Sequence, residues 1–170
     1  MNLLSIETSC DETAISIMSF DENQTKNKEI EFEVLSNKVL SQINIHREFG
    51  GVFPNLAKRE HSRNIVKIFT KCLKESNLYI EKETENLKNT EKIKLLLNKE
   101  EEMYLELIDL FKKIKKPNIK AIAVTSGPGL APALWVGVNF AKAISIFWNI
   151  DIYEINHMEG HIVSTLVSPL

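Results

Sequence analysis

Cysteine is almost missing from this 170-residue chain. Cys10 and Cys72 are the only two, too few for a disulfide framework, so both are expected as free thiols in a reducing compartment. Glycine (6) and proline (5) are also scarce, which excludes collagen-like and low-complexity classes and makes each Gly or Pro cluster a meaningful break. No run reads as long and apolar enough to cross a membrane. Neither a basic and apolar signal segment nor an Arg-rich leader precedes the first strand pattern, so a cytoplasmic protein is expected. A surplus of positive charge is missing as well. With a net charge of -2 the chain has no global attraction for nucleic acid, and any RNA contact needs a local basic patch or a partner's surface. What remains is 44% hydrophobic and 26% charged, the make-up of one globular domain with one core.

Histidine is rare too, at four residues, yet two of them fall in Asn156-His157-Met158-Glu159-Gly160-His161, directly after an apolar strand-like run. On a helix, a four-residue spacing points both rings the same way. Two neutral imidazoles on one face can share a transition-metal ion, and a carboxylate between them can orient a ring, hold a water or carry a proton. The zinc-protease order, His-Glu-x-x-His, is not present; Glu159 stands two residues after the first His and leaves from a different face. A helix start that merely holds two histidines is the plain alternative.

Taken in order, Asn2 to Thr8 and Thr13 to Phe20 are short, β-branched-rich runs that read as a hairpin. The turn between them crowds Glu7, Asp11 and Glu12 beside the hydroxyls of Thr8, Ser9 and Thr13. Such a turn suits phosphate oxygens or a hydrated cation, or else caps itself. Asp21 to Glu29 reads as a loop and Ile30 to Leu40 as a third antiparallel strand. Gly50-Gly51-Val52-Phe53-Pro54 breaks the chain, and Pro54 opens a helix to about Ser76 whose stripe is Ile65, Ile68, Phe69, Cys72 and Leu73. Its other face holds Lys58, Arg59, His61, Arg63, Lys67, Lys71 and Lys74, a solvated face or an RNA-phosphate or acidic-partner contact. Tyr79 to Lys116, dense in Lys and Glu, reads as a charged helical insertion and a solvated excursion, with Tyr104, Leu107, Ile108, Phe111 and Ile114 as a stripe near its end. Ile119 to Thr125 is the next strand, followed by Ser126-Gly127-Pro128-Gly129 and a helix from about Leu130 to Trp148. Strand, glycine loop and helix start together are compatible with a phosphate near Ser9, Gly127 and Gly129, although no P-loop lysine follows. Ala133, Gly137 and Ala141 fall four apart and allow close helix packing, within the lobe or against a partner. Asp151 to Ile155 is the last strand, with the His pair at its carboxyl end, where sites gather in α/β sheets.

This order of elements resembles one lobe of the actin-like ATPase (ribonuclease-H-like) architecture, an α/β fold with a mixed sheet of three antiparallel strands plus parallel strands and flanking helices. Four motifs, Ile6 to Thr13, Gly50 to Pro54, Ser126 to Leu130 and His157 to His161, together resemble the TsaD family, the tRNA adenosine threonylcarbamoyltransferases. The resemblance implies transfer of a threonylcarbamoyl group from its adenylate to the N6 amine of the adenosine beside the anticodon. It places one divalent transition metal, iron or zinc, on His157 and His161, an adenylate nucleotide as part of the donor, and Asp11 and Glu12 at the catalytic centre. It implies as partners a TsaB-like paralogue docked through the helices Asn55 to Ser76 and Leu130 to Trp148, a TsaE-like ATPase and tRNA, with no membrane. The family's second lobe, with a further metal ligand and nucleotide loops, has no counterpart here, so these 170 residues are expected to be an N-terminal half that is inactive alone. A TsaB-like scaffold without metal ligands, and a metal nuclease of the ribonuclease-H-like fold using Glu7 and Asp11, are the other readings.

Overall fold

The computed structural model describes residues 1–21, 32–83, 87 and 89–164. Strands β1 (Asn2–Glu7), β2 (Glu12–Phe20) and β3 (Phe32–Ser41) come first, then helices α1 (Ile43–Arg47), α2 (Pro54–Glu75), α3 (Thr90–Leu96) and α4 (Glu101–Lys113). Strand β4 (Ala121–Gly127), helix α5 (Ala131–Trp148), strand β5 (Asp151–Asn156) and helix α6 (His157–Ser164) complete the order. The expected loop from Asp21 to Glu29, beyond Asp21 itself, and the first residues of the expected third strand lie outside the described residues.

One five-stranded sheet organises the lobe, in the order β3-β2-β1-β4-β5. The hairpin pairs β1 with β2 antiparallel and β2 with β3 antiparallel, while β4 pairs parallel with β1 and β5 parallel with β4. Period-2 alternation decides which face is covered. Leu4, Ile6, Ile15, Ile17, Ile122 and Val124 are buried on one side, against Ile65, Phe69 and Leu73 of α2 and Val136, Phe140 and Ile144 of α5. The few aromatics gather where these helices meet: Phe69 lies edge-on to Phe140 at 5.5 Å, and Phe111 of α4 stacks on Phe147 at 4.0 Å. Pro54 occupies the first turn of α2, as its fixed φ predicts.

Three expectations change. The stretch Tyr79 to Lys116 is not one solvated helix: it holds α3 and α4, and Ile93, Leu97, Met103, Leu107, Leu110 and Phe111 belong to the core. Burying a Leu or Phe contributes about 1.5–3 kcal/mol relative to exposure, so this segment is part of what holds the lobe together. The basic face of α2 is largely answered from within. Lys58 pairs with Glu100 at 2.7 Å, Lys67 with Glu106 at 3.1 Å and Arg63 with Glu102 at 3.8 Å, partners on α4 or the residue just before it, while His61 is fully buried. Helix α5 is long and apolar enough to cross a membrane by length and composition, contrary to the expectation that no run is, but it lies along α2 and β4 with Ala133, Val136, Phe140 and Ile144 buried as a core helix. Of the two readings of Ala133, Gly137 and Ala141, packing within the lobe is the one that holds. All three are buried, and a Cβ on Gly137 would stand 2.5 Å from Thr8 Oγ1.

Candidate functional site

Because β1, β4 and β5 run parallel, their carboxyl ends share one edge of the sheet, and a cleft of about 360 Å³ opens there. It is lined by Glu7, Ser9, Asp11, Glu12, Thr125 and the two histidines, among others. Each reaches it for a local reason. Glu7 ends β1 and Thr125 sits near the end of β4. Asn156 ends β5 and starts α6, its Oδ1 accepting from the Met158 amide at 2.9 Å and the Glu159 amide at 3.3 Å, so the next residue, His157, is held on the first turn.

The imidazoles behave as their spacing predicts. His157 and His161 stand edge to face with ring centroids 4.4 Å apart, and their Nε2 atoms are 3.0 Å apart. The other nitrogen of His157 is fixed by the hairpin turn. A carboxylate oxygen only accepts, so Nδ1 carries the proton, shared between Glu7 Oε2 at 3.3 Å and Ser9 Oγ at 3.1 Å. Nε2 of His157 is thereby left with its lone pair facing His161. This is a carboxylate–histidine arrangement of the kind that orients a metal ligand.

Glu7 is the residue that motif reading missed in this role. Its Oε1 accepts from the Ser9 amide at 2.5 Å and its Oε2 from the Thr125 hydroxyl at 2.6 Å. Burial pushes the carboxyl up, but the hydrogen bonds from Ser9, Thr125 and His157 outweigh it and hold the group below its ordinary value. Glu7 thus ties the Ser9 amide, the Thr125 hydroxyl and the His157 ring together at the head of the cleft. Glu159, the carboxylate between the histidines in sequence, is exposed and does not line the cleft. A signal for Glu7 was present only as position: an acid ending the first strand of a parallel set.

Asp11 and Glu12 line the cleft on the hairpin turn, next to the exposed Cys10 thiol, whose pKa burial and the Asp11 carboxylate push up. Of the residues expected near phosphate, Ser9 lines the cleft and the two glycines do not. Gly127 is the last residue of β4, paired with Asn156. Gly129 lies against the turn, where a Cβ would meet Ser9 Cβ and carbonyl oxygen at 2.8 Å, and the Leu130 amide donates to the Ser9 carbonyl at 2.7 Å. The close approach that Gly129 permits is to the protein's own turn, while a Cβ on Gly127 would meet nothing within 4 Å. As for a metal, two convergent imidazoles with an ionised carboxylate behind one of them are a fitting donor pair for iron or zinc. Among the described residues no group of three or more His, Cys, Asp or Glu is placed to complete the shell.

Sheet order, strand directions and a site on the carboxyl edge of the parallel trio define the class as an actin-like, ribonuclease-H-like α/β lobe. The family model described as "TsaD: tRNA N6-adenosine threonylcarbamoyltransferase" matches residues 33–84 and 104–169, well over half of the chain, and the chain belongs to that family. Curated relatives named tRNA N6-adenosine threonylcarbamoyltransferase include those of Persephonella marina and Caldicellulosiruptor saccharolyticus, 32% and 36% identical over 168 residues. The one from Fusobacterium nucleatum is 33% identical over 167 residues. Each alignment covers 98–99% of this chain and 36% of the relative, so the chain spans about a third of their length. Among solved structures, YeaZ from Pseudomonas aeruginosa aligns with 91% of this chain and 43% of its own at 9% identity and a TM-score of 0.45. Thermus thermophilus RuvC aligns with 94% and 66% at 10% and 0.43.

Proposed function

We propose that this chain supplies the donor-binding lobe of a cytoplasmic tRNA N6-adenosine threonylcarbamoyltransferase, acting on the adenosine at position 37 of tRNAs that read codons beginning with A. The observation that carries the reading is the pair of Nε2 atoms of His157 and His161, 3.0 Å apart beside the hairpin turn, with His157 held by Glu7. The N6 amine attacks the carbamoyl carbon of threonylcarbamoyl-adenylate. A C–N bond forms, the C–O bond to the phosphate breaks, the electron pair leaves with adenosine monophosphate, and the amine proton passes to a carboxylate of the Asp11–Glu12 pair. His157 and His161 would hold an iron or zinc ion, which would supply Lewis-acid charge toward the donor. The chain's own residues do the rest: Glu7 and Ser9 fix the ring of His157, and the turn holds two acids at the cleft. Two imidazoles fill half of a four-donor shell, so the 170 residues alone do not transfer. The helical partner in this reading is a TsaB-like paralogue seated on the exposed faces of α2 and α5, including Trp135, which is 56% exposed, with a TsaE-like ATPase and tRNA completing the assembly.

A chimera tests this directly. The chain replaces the aligned segment of the Caldicellulosiruptor saccharolyticus relative, and transfer from the adenylate to tRNA is measured with its partner proteins. The chimera is expected to transfer and to lose transfer when His157 and His161 are both alanine. A folded chimera that is inactive beside an active parent overturns the assignment, as does transfer by the 170-residue chain alone near the parent's rate.

A further inference from the structure

Beneath the hairpin turn lies a buried polar cluster that the proposed reaction does not use. His61 is fully buried, and Gln42, His46 and Thr13 are within 3% of it. The order of protons through them follows from donors and acceptors. The Phe53 amide donates to His46 Nδ1 at 3.3 Å, so neutral His46 carries its proton on Nε2 and donates to Gln42 Oε1 at 3.0 Å. That turns the Gln42 amide nitrogen to His61, 3.2 Å from Nδ1. A carbonyl only accepts, so His61 Nε2 carries the proton and donates to the Cys10 carbonyl at 3.1 Å. Its Nδ1 is left as acceptor, and the Thr13 hydroxyl reaches it at 2.8 Å. Burial, which lowers the imidazole's affinity for a second proton, agrees with this neutral form.

The turn is held at three successive carbonyls from three places. Ser9 accepts from the Leu130 amide at the start of α5, Cys10 from His61 of α2, and Asp11 from the Gln42 amide at 2.9 Å, between β3 and α1. Only the middle restraint is a side chain. We propose that His61 is a positioning residue for the Asp11–Glu12 turn: its Nε2–H holds the Cys10 carbonyl and so fixes how the two acids face the cleft. The consequence for catalysis rests on the function proposed above; the clamp itself does not.

Three measurements separate the two. In the unaltered chain, imidazole ¹⁵N shifts are expected to show His61 as the neutral Nε2–H form; an Nδ1–H form overturns the clamp without recourse to any variant. Alkylation of the exposed Cys10 by iodoacetamide, with buried Cys72 silent, reports the turn. His61→Leu removes the donor and is expected to raise that rate about fivefold or more, while His61→Gln, whose amide nitrogen falls near the Nε2 position, keeps it within about twofold. Equal rates in all three chains, or a Gln variant as fast as Leu, refute the proposal. In the chimera, His61→Leu is expected to lower kcat about tenfold or more with KM for the adenylate nearly unchanged, and His61→Gln to restore most of it. A clamp confirmed by alkylation and NMR beside an inactive chimera would fault the function and leave the clamp standing; an active chimera indifferent to His61→Leu would refute the positioning role.

Discussion

Gly137→Ala is a one-methyl perturbation whose sign depends on where the small-residue stripe of α5 faces. On an exposed helix face, Ala in place of Gly stabilises by about 1 kcal/mol through helix propensity. Here the new Cβ stands 2.5 Å from Thr8 Oγ1 and 3.5 Å from Ile6 Cγ2. Thr8 has no room to yield, because it is buried and its hydroxyl donates to the Ala133 carbonyl at 3.0 Å, which ties β1 to the same helix. Overpacking costs about 1–3 kcal/mol. Losing the buried hydrogen bond costs about 1 kcal/mol more. Against the propensity gain, the balance is a loss of about 1–3 kcal/mol. For a chain of this size that lowers Tm by about 3–10 °C, read by thermal denaturation followed by circular dichroism. Thr8→Ala clears the space, so the double variant is expected to be more stable than the two single losses added together, with a coupling of about 1–2 kcal/mol. If Gly137→Ala instead raises Tm by the few degrees that propensity alone supplies, α5 does not lie on β1 as described.

The same packing predicts that Ala133→Trp and Ala141→Trp melt far below the parent or fail to fold, since both sites are fully buried; unchanged melting would return the stripe to a partner surface. Calorimetric titration with Zn²⁺ is expected to give weak binding that disappears in His157→Ala plus His161→Ala, and Glu7→Gln should weaken it about 10–100-fold at an unchanged fold by loosening His157. An unchanged isotherm in either variant contradicts the ligand assignment. Acid should destabilise the lobe through His61. Burial lowers its folded pKa below an unfolded value of about 6.5, so the unfolded chain binds the proton first and stability falls as pH drops through that value. Glu7, Asp11 and His46 share its surroundings. Urea midpoints at pH 7.5 and 5.5 measure the fall, which His61→Gln should lessen.

Strands and helices were legible where one period dominated. The alternation of Leu4 and Ile6 with Ser5, and of Ile15 and Ile17 with Ser16, is the covered face of the sheet read directly. The His pair was legible because two residues on one helical turn meet by local geometry alone. What stayed hidden depended on partners distant in the chain. Glu7 meets His157 across 150 residues, and no spacing rule reaches so far. His61 sits among Lys and Arg in sequence and joined their face on paper, yet its partners, the Cys10 carbonyl and Gln42, come from a turn and a strand end. In α4 the apolar stripe lies between acids whose lysine and arginine partners are on α2, so a segment that looked like a solvated excursion is bound on both counts.

The place of β1 in the middle of the sheet bears on how the chain is made. Its antiparallel neighbour leaves the ribosome at once, but its parallel neighbour, β4, begins only at Ala121, and the chain between Glu7 and Ala121 takes on the order of ten seconds to synthesise. For that interval the nascent protein carries an open strand edge with Leu3 to Ile6 in register for any passing strand. The cleft forms later still, when β5 and the first turn of α6 arrive to meet Glu7. Until β5 and α6 have emerged there is no site, and the imidazole pair is among the last features of the described lobe to appear.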